Sequence, residues 1–238
     1  MWSIDSDNNR PNIVVTSSWD QTVKEWDLNH ETKFTGNYLY HRAAILGLCC
    51  HDNVYTTACF DRYIRTYDPR SQSLVLESRH HKNAVLCICV TDKFILSGSD
   101  DQTIGVYDIR GGKLLTSIRV DSPVLCMNLA RDQGFHYLRA GGKNGGMYVF
   151  DTSHDRFTLL NSTQLWNTSY KINQLCNYRG AVVACAQNGT VGMYTPDRNF
   201  NFLERFEVHT GDVSAAHSRK GLMVTGGCDN NVIMWKFQ

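Results

Sequence analysis

The sequence predicts an all-β protein of six tandem repeats, each folding as a small antiparallel sheet of four strands. An acid or amide recurs at steps of 41, 40, 43, 44 and 41 residues, and an aromatic residue follows it six positions later each time. These two columns are Asp20, Asp61, Asp101, Asn144, Asn188 and Asp229, and Trp26, Tyr67, Tyr107, Phe150, Tyr194 and Trp235. In three repeats a histidine precedes the acid by twenty residues, as His41, His81 and His209. A period near 40 residues fits four short strands per unit.

The third repeat shows how each unit is built. Residues 84–90 and 94–99 are strand-like runs joined by a short turn, and 104–109 form a third strand after the hairpin at 100–103. Asp, Asn and Gly cluster in these hairpins because they tolerate positive φ or bond to their own backbone. A fourth strand follows at 113–120. The predicted repeats are about 1–40, 41–80, 81–119, 120–167, 168–208 and 209–238, in one domain over 1–238.

The composition of the 238 residues is that of an ordinary globular protein. Hydrophobic residues make up 42%, charged residues 20%, and the net charge is +1, so no one-sided field attracts nucleic acid or anionic lipid. The apolar runs are far shorter than a membrane helix, and the first ten residues are too polar for a signal peptide. We therefore expect a cytoplasmic or nuclear protein that binds neither nucleic acid nor membrane.

The nine cysteines predict neither a disulfide scaffold nor a metal site. Their number is odd, no CxxC pair occurs, and none has zinc-finger spacing to histidine. Most stand in apolar strands, where a reduced thiol acts as a small hydrophobe. The chain also has no P-loop, no GxSxG and no HExxH, so we expect no enzyme activity, no cofactor and no small-molecule substrate.

With these columns in register, and with Asp following the aromatic in four repeats, the chain resembles the WD-repeat β-propeller family over its whole length. The resemblance implies six four-stranded blades and a structural network of His, Ser or Thr, Asp and aromatic side chains. In the third repeat these are His81, Ser97 or Ser99, Asp101 and Tyr107. The same role falls to Asp20, Trp26, His41, Asp61, Tyr67, His209, Asp229 and Trp235. A Ser-His-Asp set is also the triad of hydrolases, but its recurrence in three units favours blade architecture.

Two departures from the family pattern carry expectations of their own. Repeats four and five have Asn in place of Asp and no matching histidine, so we expect less stable blades there. The first repeat begins inside its first strand and the last ends on its third, which leaves no outer strand for the sixth blade. We therefore expect an incomplete or open ring, from the C-terminal part of a longer protein or from a short isoform, with exposed strand edges.

Family propellers bind peptides across one rim of the channel, and alignment maps that rim onto two sets of residues. One set precedes the hairpin acid or amide, and the other follows the first apolar residue of the inner strand. They are Trp19, Phe60, Asp100, Lys143, Gln187 and Cys228, and Leu46, Leu86, Leu125, Asn173 and Ser214. Trp19 and Phe60 with the three leucines form a predicted apolar half-rim. The alternative is that these side chains pack between blades.

Two arginines follow the third strands of repeats two and three. The sequences YDPR and YDIR place Arg70 and Arg110 as in the Trp-Asp-x-Arg box with which some propellers dock onto the adaptor of cullin-type ubiquitin ligases. The alternative is a surface ion pair between the Asp and Arg of the same turn, which contributes little energy.

The leading interpretation is a protein-interaction module that binds a protein or peptide. The overall pattern resembles the C-terminal propellers of F-box/WD-repeat proteins, which implies the substrate-recognition part of a ubiquitin-ligase receptor with ubiquitin-ligase subunits as partners. The alternative is a scaffold or adaptor propeller unrelated to ubiquitin, in signalling, trafficking or complex assembly, because a fold does not determine a function.

Overall fold

The structure, a computed structural model, describes the chain apart from residues 1, 7–8, 30–32, 39–40, 133–134, 154–155, 168–169, 220 and 237–238. The side chains of 33–35, 37–38, 131–132, 135 and 167 also lie outside that description. The chain divides into two compact units, Met1–Pro123 and Val124–Gln238. Each unit holds three antiparallel sheets, which we call blades 1–3 and blades 4–6. A single domain over 1–238 stays a prediction.

Unit 1 contains three four-stranded sheets whose strands pair in the order in which they follow each other along the chain. Blade 1 has β1 (Ser3–Ser6), β2 (Ile13–Ser17), β3 (Val23–Asp27) and β4 (Lys33–Tyr38). Blade 2 has β5 (Ile45–His51), β6 (Val54–Cys59), β7 (Ile64–Asp68) and β8 (Ser73–Ser78). Blade 3 has β9 (Val85–Val90), β10 (Phe94–Ser99), β11 (Thr103–Asp108) and β12 (Lys113–Arg119).

Unit 2 repeats this plan with two four-stranded sheets and one of three strands. Blade 4 has β13 (Val124–Asp132), β14 (Phe135–Gly142), β15 (Gly146–Asp151) and β16 (Thr158–Gln164), followed by a 3₁₀ turn at Leu165–Asn167. Blade 5 has β17 (Ile172–Tyr178), β18 (Ala181–Ala186), β19 (Thr190–Tyr194) and β20 (Phe202–Glu207). Blade 6 has β21 (Val213–Arg219), β22 (Leu222–Gly227) and β23 (Val232–Trp235). The prediction of six repeated antiparallel sheets is confirmed.

The core of each unit lies between the faces of neighbouring blades. Every residue of the second strand Ala181–Ala186 is buried, whereas outer strands such as Lys113–Arg119 are largely exposed. Strand β5 packs on β9 in unit 1, and β17 packs on both β13 and β21 in unit 2. A sheet with two apolar faces gains roughly 1.5–3 kcal/mol for each large side chain that a neighbour covers, which is why the blades stack. Among the described residues, no helix has the length and apolar character needed to span a bilayer.

The hairpin between the second and third strands has the same geometry in all six blades. The column residue accepts a hydrogen bond from the backbone N–H two positions later, from 2.8 Å at Asn144 to 3.3 Å at Asn188. The residue between them has positive φ: Gln21, Arg62, Gln102, Gly145, Gly189 and Asn230. Asp and Asn make this turn equally well because both offer a side-chain oxygen at the same distance from the backbone. The column is therefore first a turn-forming position.

Candidate protein-binding surface

Blade 6 contains a complete four-membered hydrogen-bond network. The Trp235 indole donates to Thr225 Oγ1 at 3.1 Å, Thr225 bonds His209 Nε2 at 3.0 Å, and His209 Nδ1 lies 3.0 Å from Asp229 Oδ1. Although burial raises the pKa of Asp229, hydrogen bonds from His209 and from the backbone N–H groups of Asn231 and Thr210 lower it well below its usual range. The buried network joins the segment before β21 to β22, to β23 and to the hairpin between them, which is a structural role.

Blade 3 has the atoms of a hydrolase triad but not its accessibility. Ser97 Oγ lies 2.7 Å from His81 Nε2, and His81 Nδ1 lies 3.2 Å from Asp101 Oδ2. Burial lowers the pKa of His81 even though Asp101 acts in the opposite direction. Ser97 has no exposed surface, so no substrate can reach its hydroxyl in this arrangement. Ser97, rather than Ser99, is the network hydroxyl, because Ser99 Oγ bonds the Ala84 carbonyl at 2.8 Å.

A second histidine takes part in blade 3, although it stands outside the repeating columns of the sequence. His80 Nε2 lies 3.1 Å from Ser97 Oγ, the position that the indole donor has in blade 6, and its ring stacks on Tyr107 at 6.4 Å. Gly105 makes this possible, since a Cβ there would lie 2.3 Å from His80 Nε2. Burial lowers the pKa of His80 to about 4. The glycine at this point of β11 is the sequence feature from which the role of His80 could have been predicted.

In blade 2 an arginine stands between the histidine and the acid. Arg65 Nη1 donates to His41 Nδ1 at 3.2 Å and to Asp61 Oδ2 at 2.8 Å, while His41 Nε2 bonds Tyr67 Oη at 3.0 Å. Burial, and then Arg65, lower the pKa of His41 to about 4. His41, Cys59 and Asp61 lie within 4.8 Å of one another, close enough to share a metal ion. The guanidinium already binds two of these three groups, so they form a satisfied network rather than a vacant cation site.

Blades 1, 4 and 5 keep only part of the network. In blade 1 Trp26 donates to Thr16 Oγ1 at 2.9 Å, and the Asp20 carboxylate accepts from Thr22 Oγ1 at 2.6 Å. In blades 4 and 5 the position of Thr16 is occupied by Ala140 and Ala184. The hydroxyl, the histidine and the charge of the acid are thus lost together in these two blades.

The hairpins between second and third strands define one end of each blade, which we call the tip end. The residue before the column acid or amide is held there by its backbone N–H, which donates to the chain entering the first strand. Phe60 bonds Ala44 at 2.9 Å, Asp100 bonds Ala84 at 3.0 Å, and Gln187 bonds Lys171 at 3.1 Å. Blade 1 connects to blade 2 at the same end, where Ile45 donates to Ser18 at 3.1 Å. The two predicted sets of rim residues therefore share the tip end of each blade.

The tip end of unit 1 exposes large aromatic side chains. Trp19 is 64% exposed and Phe60 is 61% exposed, while Leu46 and Leu86 are half-buried. Trp2, which the sequence did not single out, is 57% exposed and lies against Trp19 with ring centroids 5.6 Å apart. An innermost strand usually buries such a residue, so the position of Trp2 in the sequence did not predict that it is exposed. We call Trp2, Trp19 and Phe60 the aromatic patch.

The tip end of unit 2 has a different chemistry. Lys143 is exposed, Gln187 is half-buried, and the half-buried Leu125 is the apolar member of the predicted set in this unit. Asn173 Nδ2 donates to the Val213 carbonyl at 3.1 Å, and Ser214 Oγ donates to Gly226 at 3.1 Å. Asp100, the charged member in unit 1, is exposed. Among the predicted rim residues, the large exposed aromatic side chains are therefore those of unit 1, Trp19 and Phe60.

The two predicted docking arginines lie at the opposite end of their blades, in the turns between third and fourth strands. Arg70 forms two side-chain hydrogen bonds with Asp68, at 3.1 and 3.0 Å, and its side chain is 70% exposed. Arg110 is also exposed, and its backbone N–H donates to Asp108 at 3.0 Å. Both aspartates form the turn that presents the arginine, so the surface ion pair and an outward-facing Arg70 coexist.

Comparison with known proteins agrees with this architecture. The family model "WD domain, G-beta repeat" matches residues 1–27, 72–108 and 200–236. F-box/WD repeat-containing protein 9 from Bos taurus is 32% identical over 197 residues, which cover 82% of this chain and 41% of that protein. Its namesake from Homo sapiens is 28% identical over 240 residues, covering 100% of this chain and 50% of that protein. The chain thus spans about half the length of these relatives.

A solved structure extends the comparison to the fold alone. The computationally designed Ika8 protein superposes with a TM-score of 0.75 over 99% of this chain and 83% of its own, at 19% sequence identity. The repeated sheets, the hairpin columns, the networks of blades 3 and 6 and the family match lead to one conclusion. This chain is a WD-repeat β-propeller protein.

Proposed function

We propose that this chain is the substrate-recognition part of a ubiquitin-ligase receptor and binds its protein partner at the aromatic patch. The observation that carries the binding site is the exposure of Trp19 and Phe60, at 64% and 61%, on hairpins whose backbone is held by hydrogen bonds. Exposed aromatic side chains on a rigid backbone are typical of binding sites in which a few residues supply most of the binding energy. The WD-repeat propeller is a protein-interaction fold and is generally not catalytic.

The chemistry of the patch selects the kind of partner. Two indoles and a phenyl ring offer apolar area with little conformational entropy to lose, and the exposed charge that we predict beside them is the carboxylate of Asp100. A partner segment with an apolar anchor and a neighbouring basic residue fits this surface best. Within unit 1, Leu46 and Leu86 extend the apolar surface along the inner strands.

The link to ubiquitin rests on two supports. The relatives that cover most or all of this chain are named F-box/WD repeat proteins. In blades 2 and 3 the predicted adaptor-docking residues Arg70 and Arg110 lie at the end opposite the hairpins. Substrate and adaptor contacts at opposite ends of a blade do not compete for surface. As part of the same proposal, the protein works in the cytoplasm or nucleus.

The binding site is tested by Trp19→Ala/Phe60→Ala in the full chain, with Lys143→Ala/Gln187→Ala as the matched tip-end control from unit 2. Partners recovered by affinity purification and mass spectrometry from cells are compared at equal expression and equal thermal stability. We expect the aromatic double variant to lose partners about tenfold or more, because each anchor contributes roughly 1–2 kcal/mol or more, while the control retains them. Equal recovery with both variants contradicts the site.

The ubiquitin assignment has a separate readout in the same purification. Recovery of cullin-ligase subunits that weakens in Arg70→Glu/Arg110→Glu supports the receptor function and its docking residues. The second candidate function is a scaffold unrelated to ubiquitin. Its support is a local match to the Ribosome biogenesis protein WDR12 homolog of Anopheles gambiae, 39% identical over 62 residues that cover 25% of this chain and 14% of that protein. Partners that depend on the aromatic patch without any cullin-ligase subunit support that scaffold instead.

A further inference from the structure

Blade 3 contains two adjacent histidines that share one serine hydroxyl. Ser97 Oγ lies 2.7 Å from His81 Nε2 and 3.1 Å from His80 Nε2, and the centres of the two imidazole rings are 4.5 Å apart. In blade 6 the corresponding hydroxyl, that of Thr225, lies between a single histidine and the indole of Trp235. The difference is chemical, because an indole N–H can only donate a hydrogen bond, whereas an imidazole nitrogen can donate or accept one.

The charge of Asp101 determines which nitrogen of His81 carries the proton. Although burial raises the pKa of Asp101, hydrogen bonds from Thr103 and from the backbone N–H of Lys82 lower it below its usual range, so the carboxylate is ionised. A carboxylate only accepts hydrogen bonds. His81 Nδ1, which lies 3.2 Å from Asp101 Oδ2, therefore carries a proton, and His81 Nε2 is left to accept the hydrogen of Ser97.

The shared hydroxyl then determines the tautomer of His80. Ser97 has one hydrogen and donates it to His81, so His80 Nε2 carries a proton and donates it to Ser97 Oγ. His80 Nδ1 has no proton and accepts the hydroxyl hydrogen of Ser78 at 3.2 Å. The result at neutral pH is one directed chain of hydrogen bonds, which runs in the order Ser78, His80, Ser97, His81 and Asp101.

The surroundings of the two rings favour a positive charge on His81 rather than on His80. Burial lowers the pKa of both histidines, to about 4 for His80, and the charge of Asp101 opposes this effect on each. Asp101 contacts His81 directly, whereas His80 contacts two hydroxyl groups and stacks on Tyr107. Five charged side chains of the adjoining segments are exposed to solvent, which screens them: Glu77, Arg79, Lys82, Asp100 and Arg119. A proton that reaches His80 is thus stabilised most when its charge passes on to His81.

We propose that His80, Ser97 and His81 bind one added proton as a unit, which makes blade 3 a pH-responsive element of unit 1. A proton from solvent adds to Nδ1 of the half-buried His80, which then donates to Ser78 Oγ. The hydrogen of His80 Nε2 moves to Ser97 Oγ, and the original hydroxyl hydrogen of Ser97 moves to His81 Nε2. His81 becomes an imidazolium beside Asp101, and His80 is neutral again with its proton on Nδ1. Every hydrogen bond of the chain is kept, and those between Ser78 and His81 reverse their direction.

The network of blade 6 lacks this response. Thr225 accepts a hydrogen bond from the Trp235 indole and donates its own to His209 Nε2. A proton on His209 Nε2 would place Thr225 Oγ1 between two donors and displace the hydroxyl hydrogen from its acceptor. The response of blade 3 therefore depends on His80 in place of an indole, and on Gly105, which leaves room for His80. It is independent of the aromatic patch and of the ubiquitin-ligase proposal.

The first test is NMR of the full wild-type chain with isotope-labelled histidine nitrogen atoms, recorded from neutral to acidic pH and assigned by single substitutions. At neutral pH we expect protons on Nε2 of His80 and on Nδ1 of His81. As His81 gains its second proton, the proton of His80 should move from Nε2 to Nδ1 with the same midpoint. Two protons on His80, separate midpoints for the two rings, or unfolding of the chain before His81 is protonated overturns the proposal.

The second test changes the shared hydroxyl to residue types that other blades have at this position. Ser97→Thr introduces the residue of blades 1, 2 and 6, and Ser97→Ala introduces that of blades 4 and 5. We expect Ser97→Thr to keep the tautomer change of His80 and Ser97→Ala to lose it. Ser99→Ala removes a neighbouring hydroxyl that bonds the Ala84 carbonyl instead, and should keep the change. A tautomer change that survives in Ser97→Ala contradicts the proposal, and so does one that is lost in Ser97→Thr.

Discussion

Blades 5 and 6 are neighbours in unit 2, but they hold the aromatic residue of the third strand by different contacts. Blade 6 places His209, Thr225, Asp229 and Trp235 in a buried hydrogen-bond network. Blade 5 has Ala184 where blade 6 has Thr225, and its third-strand aromatic Tyr194 stacks on Phe200 with ring centroids 4.5 Å apart. Blade 5 replaces a polar network by aromatic packing.

The replacement in blade 5 is complete around the Tyr194 ring. Trp166 packs edge-on against it at 6.4 Å, and Phe202 does so at 5.8 Å. Gly192 makes room for the indole, since a Cβ there would lie 3.2 Å from Trp166 Nε1. Blade 3 uses a glycine at the same hairpin offset to admit His80. Loss of the motif is therefore coupled to a substitute contact, and the lower stability of blades 4 and 5 stays a prediction.

The largest effect should come from removing the aromatic centre of blade 5. Tyr194→Ala deletes a ring that is 3% exposed and surrounded by three aromatic partners. We expect a loss of about 3–5 kcal/mol in the free energy of unfolding, because the cavity cannot collapse around flat rings. Urea unfolding measures it. Tyr194→Phe keeps the ring and should lose less than about 1.5 kcal/mol; a loss similar to that of alanine would show that the hydroxyl, rather than ring packing, stabilises this blade.

A smaller effect should come from breaking the network of blade 6 without changing its volume. Thr225→Val removes the hydroxyl that joins Trp235 and His209, and leaves a buried indole N–H and a buried imidazole nitrogen unsatisfied. The expected loss is about 1–3 kcal/mol in urea unfolding. Thr225→Ser preserves the hydroxyl and should lose less. If serine and valine are equally destabilising, the methyl contact rather than the hydrogen bonds holds the blade.

Periodicity predicted most of the fold, because a residue type that every repeat requires at the same point produces a regular spacing in the sequence. The six hairpins require the same turn, so the column of Asp and Asn recurs even where the network is absent. The positions of Trp19 and Phe60 at the hairpins followed from the same register. The exposure of Trp2 and the role of His80 did not follow, because each depends on the side chains of a neighbouring strand. Gly105, for example, leaves the space that His80 occupies. A contact that occurs in one blade alone produces no repeating pattern from which it could be predicted.

The smallest effect concerns the hairpin backbone, where blades 4 and 5 have Gly145 and Gly189 and the other four blades have residues with a Cβ at positive φ. Gln102 in blade 3 has φ 65°, whereas Asn230 in blade 6 has φ 63°. Gln102→Gly should raise the free energy of unfolding by about 0.5–1 kcal/mol, since a left-handed conformation is unfavourable for a residue with a Cβ. Asn230→Gly should gain less, because Asn adopts this region more readily. Urea unfolding of both variants compares them, and a larger gain at Asn230 than at Gln102 would show that side-chain contacts, rather than backbone strain, determine the preference at this position.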